Sequence, residues 1–337
     1  MCWLHVLAMH TNTRIAGESC AGRDEAMGFW TAVSPHLCCP AVDDTRVPNM
    51  SSTFDRQKAY APQGEVFFDD GREEELVRFV TSQPERRGSP TEVLRAIDEF
   101  ARTQKYLMNV GEHKGRIVTD LIQRTRPTVM VELGGYCGYS TILFAAAVRA
   151  AGGQRYFCLE RSPQFARNIE ELVAFAGLAD VVRVVVGASS ASLRALHRDG
   201  QLARIDLMFL DHYKPAYTSD LKLCESLGLV AAGTTLAADN VVAPGNPPYL
   251  RYVRSSVQEK RHALARGGEP DTQDFPGRSA TQYGDVEALS TEVEGNPNLI
   301  YRSQLIDSWE PSGVPVSVRC RVGAAAEADL SCRTPSK

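Results

Sequence analysis

Five short apolar runs alternate with amphipathic segments between residues 128 and 240, and this alternation constrains the fold more than any other feature of the chain. The runs are TVMVELG, RYFCLER, VVRVVVG, IDLMFLD and TTLAADN, and helical patterns such as PQFARNIEELVAFAG separate them. Continuous Val, Leu and Ile runs joined by helices are typical of strands buried on both faces of a parallel sheet. The sequence therefore predicts a doubly wound α/β domain, in which ligands bind at the carboxyl ends of the strands.

The segments around these runs define the predicted boundaries of the domain. Residues 1–65 mix Cys, Pro, Ser and Asp without periodicity, which predicts a poorly structured N-terminal extension. Residues 66–325 are predicted to form a single domain, with a polar surface insertion at 257–298 that is rich in Gly, Pro and charge. Alternating runs on either side of a Pro-Ser-Gly turn at 311–313 predict a hairpin that closes one edge of the sheet, and 326–337 form a tail.

Bulk composition excludes several classes of partner. With 37 basic and 41 acidic residues and a formal charge of -4, the chain lacks the basic field of a nucleic-acid-binding protein. No window reaches the roughly 20 apolar residues of a bilayer-spanning helix, and the apolar N-terminus lacks the basic leader of a signal peptide. We expect a cytoplasmic monomer or weak dimer that binds neither nucleic acid nor membrane.

A glycine turn follows the first of the five runs. Gly134, Gly135 and Gly138 let a backbone approach a ligand closely, although a turn that needs glycine only for its dihedral angles is the alternative. The spacing differs from the G-x-G-x-x-G that binds a pyrophosphate, which favours a cofactor without phosphates. Glu160 ends the next run. An acid at this position of a nucleoside-binding sheet accepts hydrogen bonds from the ribose hydroxyls, and the alternative is that Glu160 is a solvated loop residue. Together these features predict a cofactor that contains adenosine.

Polar side chains also follow the last two runs. Asp211 ends one run, and Asp239 with Asn240 ends the other, so their oxygens are expected at the same edge of the sheet. Carboxylate and amide oxygens suit Mg²⁺, and the alternative for both acids is that they cap loops. Lys214 follows Asp211 by three residues. Beside a metal it could act as a general base, whereas a solvated loop lysine is the alternative.

Residues from about 72 to 256, with the predicted hairpin at 299–322, resemble the catechol O-methyltransferase family of class I S-adenosylmethionine-dependent enzymes. The resemblance lies in the stretches YLMNVGEHKGRIV, VELGGYCGYS, VVGAS, FLDHYK and ADNVVAPGNP. It implies a Rossmann-like seven-stranded methyltransferase sheet, mostly parallel, with a C-terminal antiparallel hairpin and helices on both faces. It also implies methyl transfer from S-adenosylmethionine to one hydroxyl of a catechol, or a related vicinal diphenol, that Mg²⁺ chelates.

The resemblance further implies roles for individual residues. Lys214 is the implied general base, and the implied magnesium ligands are Asp211, Asp239 and Asn240. The implied cofactor contacts are Met108, Val110, Glu132, Gly134, Tyr136, Tyr139, Ser140, Glu160, Ala188, Ser189 and His212.

The resemblance also implies residues that contact the substrate. Asp307 on the hairpin is the implied acid for the second catechol hydroxyl, and Glu310 competes with it. Tyr106, Tyr213 and Pro244 are the implied pocket residues. Both tyrosines replace tryptophans of mammalian members and Ala216 replaces an arginine near the adenine, which leaves the preferred catechol open.

Three other functions are compatible with the sequence. A magnesium-dependent O-methyltransferase for a larger phenolic natural product would use the same three metal ligands. A nicotinamide-dependent oxidoreductase is disfavoured by the absent G-x-G-x-x-G motif. A non-catalytic protein that binds a nucleoside cofactor is disfavoured by the joint presence of Asp211, Lys214, Asp239 and Asn240.

Overall fold

A computed structural model of the chain describes residues 3–8, 70–267 and 293–307. In this part of the chain seven strands form one sheet in the order β4-β3-β2-β5-β6-β1-β7. The strands are β1 (Trp3–Ala8), β2 (Val129–Leu133), β3 (Arg155–Glu160), β4 (Val182–Val186), β5 (Leu207–Leu210), β6 (Thr235–Asp239) and β7 (Arg302–Asp307).

The five strands predicted from the apolar runs are parallel neighbours in this sheet. β2 pairs with β3 on one side and with β5 on the other, and β4 and β6 extend the two sides. The strand order therefore reverses between β2 and β5, which places the expected ligand site beyond the carboxyl ends of these strands.

Nine α-helices lie in the described residues, and side-chain caps mark where several of them begin. They are α1 (Arg72–Thr81), α2 (Pro90–Thr103), α3 (Gly111–Thr125), α4 (Tyr139–Ala150), α5 (Pro163–Phe175), α6 (Ser189–Arg198), α7 (Ala216–Ser226), α8 (Pro247–Arg254) and α9 (Val257–Ala265). Ser89 accepts from the Glu92 amide at 3.3 Å and Ser162 accepts from the Phe165 amide at 3.3 Å, each with a proline at the first helical position. These caps satisfy amides that have no partner inside the helix.

Alternate residues of the buried strands contribute to two separate hydrophobic cores. Met130 and Phe209 face the core formed with α1 to α5, where Phe144 meets Phe209 edge to face at 5.1 Å between ring centroids. Val131 and Met208 face the other core, formed with α6 to α8. The predicted doubly wound α/β fold, with helices on both faces of a mostly parallel sheet, is confirmed.

The N-terminal extension contains a strand that the sequence analysis missed. β1 lies antiparallel between β6 and β7, with Leu4 opposite Asp239 on one side and Ile306 on the other. The prediction of a poorly structured extension is therefore wrong for Trp3–Ala8. A six-residue apolar run is too short to indicate a strand unambiguously, and its partners lie more than 200 positions away in the sequence.

The two C-terminal predictions have different outcomes. β7 supplies one arm of the predicted hairpin, but its neighbour in the sheet is β1, and residues 308–325 lie outside the described part, as do Glu310 and the tail at 326–337. The insertion predicted at 257–298 is not irregular throughout, because α9 occupies Val257–Ala265 and begins with a capping box at Ser256. Residues 9–69 and 268–292 also lie outside the description.

Candidate functional site

The glycine turn links β2 to α4 and brings two strand ends together. Gly134 has φ 88°, and a side chain there would place its Cβ 2.7 Å from the Asp211 carbonyl oxygen, so only glycine permits this approach of β2 to β5. The amides of Gly135 and Tyr136 donate to Glu160 Oε2 at 3.0 and 3.1 Å. The predicted turn and the predicted ribose acid therefore lie side by side.

A cavity of about 470 Å³ opens beside Glu160. Its volume lies within the range of about 300–1,000 Å³ that is usual for small-molecule sites. It is lined by the beginnings of α1 and α5 and by the end of β3, through Gly71, Glu73, Glu160, Arg161, Ser162, Gln164 and Phe165.

The beginning of α1 contacts the glycine turn through one buried residue and the loop before α3 through another, and the sequence analysis missed both. Tyr136, which has the unusual left-handed φ of 49°, donates its hydroxyl to Glu73 Oε1 at 2.7 Å. Arg72 donates from Nη1 to the carbonyl oxygen of Tyr106 at 2.6 Å. The acids in the first turn of α1 are typical of any helix N-terminus, so nothing local distinguished Glu73.

Glu132 is fully buried beneath α4. Thr141 donates to its Oε2 at 2.6 Å. Burial raises the pKa of Glu132 to about 7, although hydrogen bonds from neighbouring side chains, including Ser140, lower it. Its Oε1 has no partner among the described residues. An oxygen of this kind is a suitable acceptor for a cationic donor group of a ligand.

The remaining predicted cofactor residues lie around these strand ends. Met108 is half-buried, Val110 is buried before α3, and Ala188 is exposed before α6. Tyr139 is buried, and its hydroxyl lies 3.4 Å from Asp98 Oδ2 in α2. The last two, Ser189 and His212, share a partner that the sequence analysis missed, which is the buried Asp220 of α7.

Asp211 and Asp239 follow neighbouring strands at the same edge of the sheet. The register pairs Leu210 of β5 with Ala238 of β6, so the two acids come one position after paired residues. Burial raises the pKa of Asp211, and the charge of Asp239 acts in the same direction while the Lys214 ammonium opposes both. The side chain of Asp211 remains 24% exposed, which leaves it accessible from the cleft.

Each of these acids pairs with a buried lysine. Lys214 donates from Nζ to Asp211 Oδ1 at 2.9 Å and to the Tyr217 hydroxyl at 2.7 Å. Lys114 of α3 forms an ion pair with Asp239 Oδ2, and both side chains are almost fully buried. The sequence analysis missed Lys114, although a lysine one turn before Ile117 on the apolar face of α3 was a detectable signal.

Asn240 adopts a left-handed conformation with φ 59° directly after β6, and its amide donates to Asp239 Oδ1 at 2.8 Å. The structure thus brings the three predicted metal ligands to one edge. The described residues contain no cluster of three or more His, Cys, Asp or Glu side chains suited to a metal, and the predicted set has only two acids.

The predicted substrate residues are described unequally. Tyr106 and Tyr213 are half-buried. For Pro244 only the backbone is described, in a π-helical turn at Val241–Gly245. Asp307 ends β7 opposite Trp3, next to the Leu4–Asp239 pair, so its backbone lies at the same edge as Asp239.

Comparison with known proteins identifies the family. A methyltransferase domain profile matches residues 131–241. Catechol O-methyltransferase of Mus musculus is 39% identical over 185 residues, which cover 55% of this chain and 69% of that protein. Catechol O-methyltransferase B of Danio rerio is 41% identical over 189 residues, which cover 56% of this chain and 70% of the relative. The chain belongs to the catechol O-methyltransferase family. It is therefore a methyltransferase, as the resemblance implied.

The family comparison also corrects the expected location. A protein of Homo sapiens named Transmembrane O-methyltransferase is 38% identical over 185 residues, covering 55% of this chain and 62% of its own length. The expectation of a cytoplasmic protein is contradicted by this relative. Among the helices that the structure describes, none has the length and apolar character needed to cross a bilayer.

Solved structures give a weaker comparison. An O-methyltransferase from Bacillus cereus, solved in complex with SAH, is 26% identical and covers 54% of this chain and 71% of that one. The TM-score of 0.35 is too low for the likeness to support any conclusion about the site.

Proposed function

We propose that the protein transfers a methyl group from S-adenosylmethionine to one hydroxyl of a catechol, with Mg²⁺ as the metal and Lys214 as the general base. One observation carries the proposal. Two acids, Asp211 and Asp239, lie at the ends of adjacent strands, and the Nζ atom of a buried lysine lies 2.9 Å from Asp211. The glycine turn after β2, which contacts Glu160, approaches the backbone of Asp211 closely at Gly134.

The residues at the turn fit a nucleoside cofactor with a cationic end. Glu160 already accepts from two turn amides, and its second oxygen accepts from the Ser162 amide at 2.8 Å, so its carboxylate is oriented before a ribose arrives. Glu132 is buried next to this turn, and the family resemblance assigns it to the cofactor. When bound, this cofactor supplies the electrophilic methyl group. The residues proposed to hold it are the cofactor contacts that the family resemblance implies.

The oxygen donors of Asp211, Asp239 and Asn240 fit Mg²⁺ in kind and in number. Mg²⁺ prefers carboxylate and carbonyl oxygens and keeps open positions for water or substrate when few protein ligands bind it. Such an ion lowers the pKa of hydroxyl groups that coordinate it. If both hydroxyls of the substrate must coordinate the ion, the substrate would have to be a diphenol whose two hydroxyls are adjacent.

Lys214, once its amine is neutral, is the proposed acceptor of the phenolic proton. Asp211 Oδ1 and the Tyr217 hydroxyl hold its Nζ, and the Tyr217 hydroxyl in turn donates to the Leu210 carbonyl oxygen at 2.8 Å. The Asn246 side-chain amide donates to the Lys214 carbonyl oxygen at 2.7 Å and fixes the backbone. An ammonium group formed at Nζ therefore stays beside a carboxylate that stabilises it.

The edge of the sheet beyond β6 would supply the substrate contacts. β1 separates β6 from β7, so Asp307 lies two strand spacings, about 10 Å, from Asp239 along the sheet. We assign Asp307 to the second catechol hydroxyl, and Tyr106, Tyr213 and Pro244 to the walls of the pocket.

The test is methyl transfer from labelled S-adenosylmethionine to a panel of catechols, with a monophenol as the negative substrate. We expect labelled methyl ethers that require Mg²⁺ and disappear with EDTA. Asp211→Asn and Lys214→Met should each lower kcat by at least about 100-fold, the lower end of general-base effects. Asp199→Asn, which changes an exposed acid that pairs with its neighbour Arg198, is the matched control and should behave as the wild type.

Other outcomes would reject parts of the proposal. Undiminished transfer in EDTA would reject the metal, and equal transfer to the monophenol would reject chelation. Labelling of larger phenolic natural products but of no simple catechol would replace the substrate class while leaving the chemistry in place.

A further inference from the structure

The guanidinium group of Arg72 holds the loop that connects α2 to α3, residues 104–110. Arg72 Nη1 donates to the carbonyl oxygen of Tyr106 at 2.6 Å. Its Nε and Nη2 donate to the two carboxylate oxygens of Asp70 at 2.8 and 2.9 Å. A planar guanidinium that a carboxylate binds at two points has a fixed direction. Its third bond therefore fixes where the Tyr106 carbonyl lies.

The residues on both sides of Tyr106 are held as well. Lys105 Nζ donates to the Glu75 carboxylate of α1 at 2.9 Å, and Leu107 is fully buried. Tyr106 itself is half-buried and packs against the core formed with α1 to α5. The backbone at Tyr106 is thus fixed by α1 and by the core, while the residue keeps exposed surface that a ligand can contact.

This loop borders both halves of the proposed site. The Cys137 thiol of the glycine turn donates to Asn109 Oδ1 at 3.1 Å. The loop then leads into α3, where Lys114 forms the buried ion pair with Asp239. A molecule that lies between the glycine turn and the metal acids would therefore lie next to residues 104–110.

We infer that Arg72 is a positioning residue, which fixes the wall that Tyr106 provides for the aromatic ring of the substrate. The inference rests on the proposed function, in which Tyr106 lines the substrate pocket. A wall that is fixed before the substrate arrives does not have to be ordered on binding, so less free energy is lost in forming the complex. Arg72 acts through Tyr106 and needs no contact with substrate, cofactor or metal.

A double-mutant cycle tests whether Arg72 acts through the Tyr106 side chain. Arg72→Met should raise the KM for catechol about two- to tenfold, the range for loss of an aromatic contact, with a smaller change in kcat. Tyr106→Ala should raise KM by itself, and adding Arg72→Met should raise it no further, because the side chain that Arg72 positions is then absent. Arg78→Met, at an exposed position of the same helix, is the matched control and should keep the wild-type KM.

Calorimetry with S-adenosylhomocysteine separates an effect on the wall from a general loosening of α1. Its Kd should stay at the wild-type value in Arg72→Met, and a loss of affinity as large as the rise in KM would overturn the inference. Additive effects of the two substitutions on KM would overturn it while leaving the proposed function intact. Absence of methyl transfer in the wild type would reject both.

Arg72→Lys keeps the inference testable if Arg72→Met fails to fold. Lysine keeps the positive charge beside Asp70 but lacks the fork that binds Asp70 and the Tyr106 carbonyl together. This variant should raise KM, and it should do so only when the Tyr106 side chain is present. A wild-type KM in folded Arg72→Lys would overturn the inference.

Discussion

At the scale of single residues, the proposed metal site is a balanced set of four charges, of which three are buried and the fourth, Asp211, is 24% exposed. Asp211 and Asp239 carry two negative charges, and Lys214 and Lys114 carry two positive charges at hydrogen-bonding distance. A buried carboxylate without such a partner would be strongly disfavoured. Lys114 therefore stabilises Asp239 in the fold but opposes the binding of a further cation.

Lys114→Met should separate these two effects. Loss of the ammonium leaves Asp239 without its partner, so the free energy of unfolding should fall by about 3–5 kcal/mol. The added negative charge should make Mn²⁺, used as a spectroscopic probe, bind more tightly than to the wild type. Urea unfolding with and without Mn²⁺, together with electron paramagnetic resonance titration, would measure both quantities. Lys114→Arg keeps the charge and serves as the control, and weaker Mn²⁺ binding in Lys114→Met would refute the electrostatic argument.

At the scale of secondary structure, β1 completes the sheet between β6 and β7. Its ladder runs from Leu4 opposite Asp239 to Ala8 opposite Thr235 on one side and along all of β7 on the other. Because β1 is a central strand, both of its edges are paired, and β7 has no other described neighbour in the sheet. The position of the Asp307 backbone at this edge of the sheet therefore depends on residues near the opposite end of the chain.

Val6→Pro should release β7 from the sheet. Proline cannot donate to a ladder and is not tolerated in central strands, so the free energy of unfolding should fall by at least about 1–3 kcal/mol. Hydrogen exchange at residues 302–307 should accelerate, whereas Val6→Thr, which keeps the amide and the β-branched shape, should leave it unchanged. Intact protection of β7 in Val6→Pro would mean that another segment pairs with it, such as the second arm of the predicted hairpin.

A second ionic cluster connects α9 to residues 293–301. Glu225 accepts from the Asn296 amide at 2.8 Å and from the hydroxyls of Tyr252 and Tyr301. Lys260 donates to the Leu299 carbonyl oxygen at 2.9 Å and lies 4.3 Å from the centre of the Tyr252 ring. This cluster lies outside the proposed site, and it holds residues 293–301 against α7 and α8.

Lys260→Met should therefore loosen residues 293–301 without changing kcat. The Leu299 carbonyl would lose its donor, which costs about 1–3 kcal/mol when the group stays buried. Limited proteolysis should cut this segment faster than in the wild type. Lys222→Met, which removes a lysine 5.1 Å from the same Tyr252 ring but not the bond to Leu299, is the matched control. Equal cleavage rates for the two variants would contradict the proposed anchoring role.

At the scale of the whole molecule, one sheet separates two cores, and Glu132 is an acid inside one of them. Its pKa of about 7 in the folded protein exceeds the ordinary value of 4.5. Between these values the folded state binds a proton that the unfolded state has lost. The contribution of Glu132 to stability is therefore complete below about pH 4.5 and decreases as the pH rises through about 7.

Urea unfolding at several pH values would test this contribution. The free energy of unfolding should decrease by up to about 1.4 kcal/mol per pH unit between these limits because of Glu132. Glu132→Gln removes the titrating group, so its stability relative to the wild type should rise with pH over the same interval. A difference between the two proteins that stays constant with pH would show that Glu132 does not titrate in this range.

The sequence by itself determined the five parallel strands, the helices on both faces, and the edge where Gly134, Glu160, Asp211 and Asp239 meet. These features follow from local periodicity and from the rule that parallel strands end at one edge. Only the tertiary structure decided that β1 fills the sheet, that Lys114 pairs with Asp239, and that Asp220 joins Ser189 to His212. The pairing of β1, the Lys114–Asp239 ion pair and the Ser189–Asp220 hydrogen bond connect segments distant in sequence, so no local pattern identifies the partners, and the energies of these contacts come from burial and charge pairing.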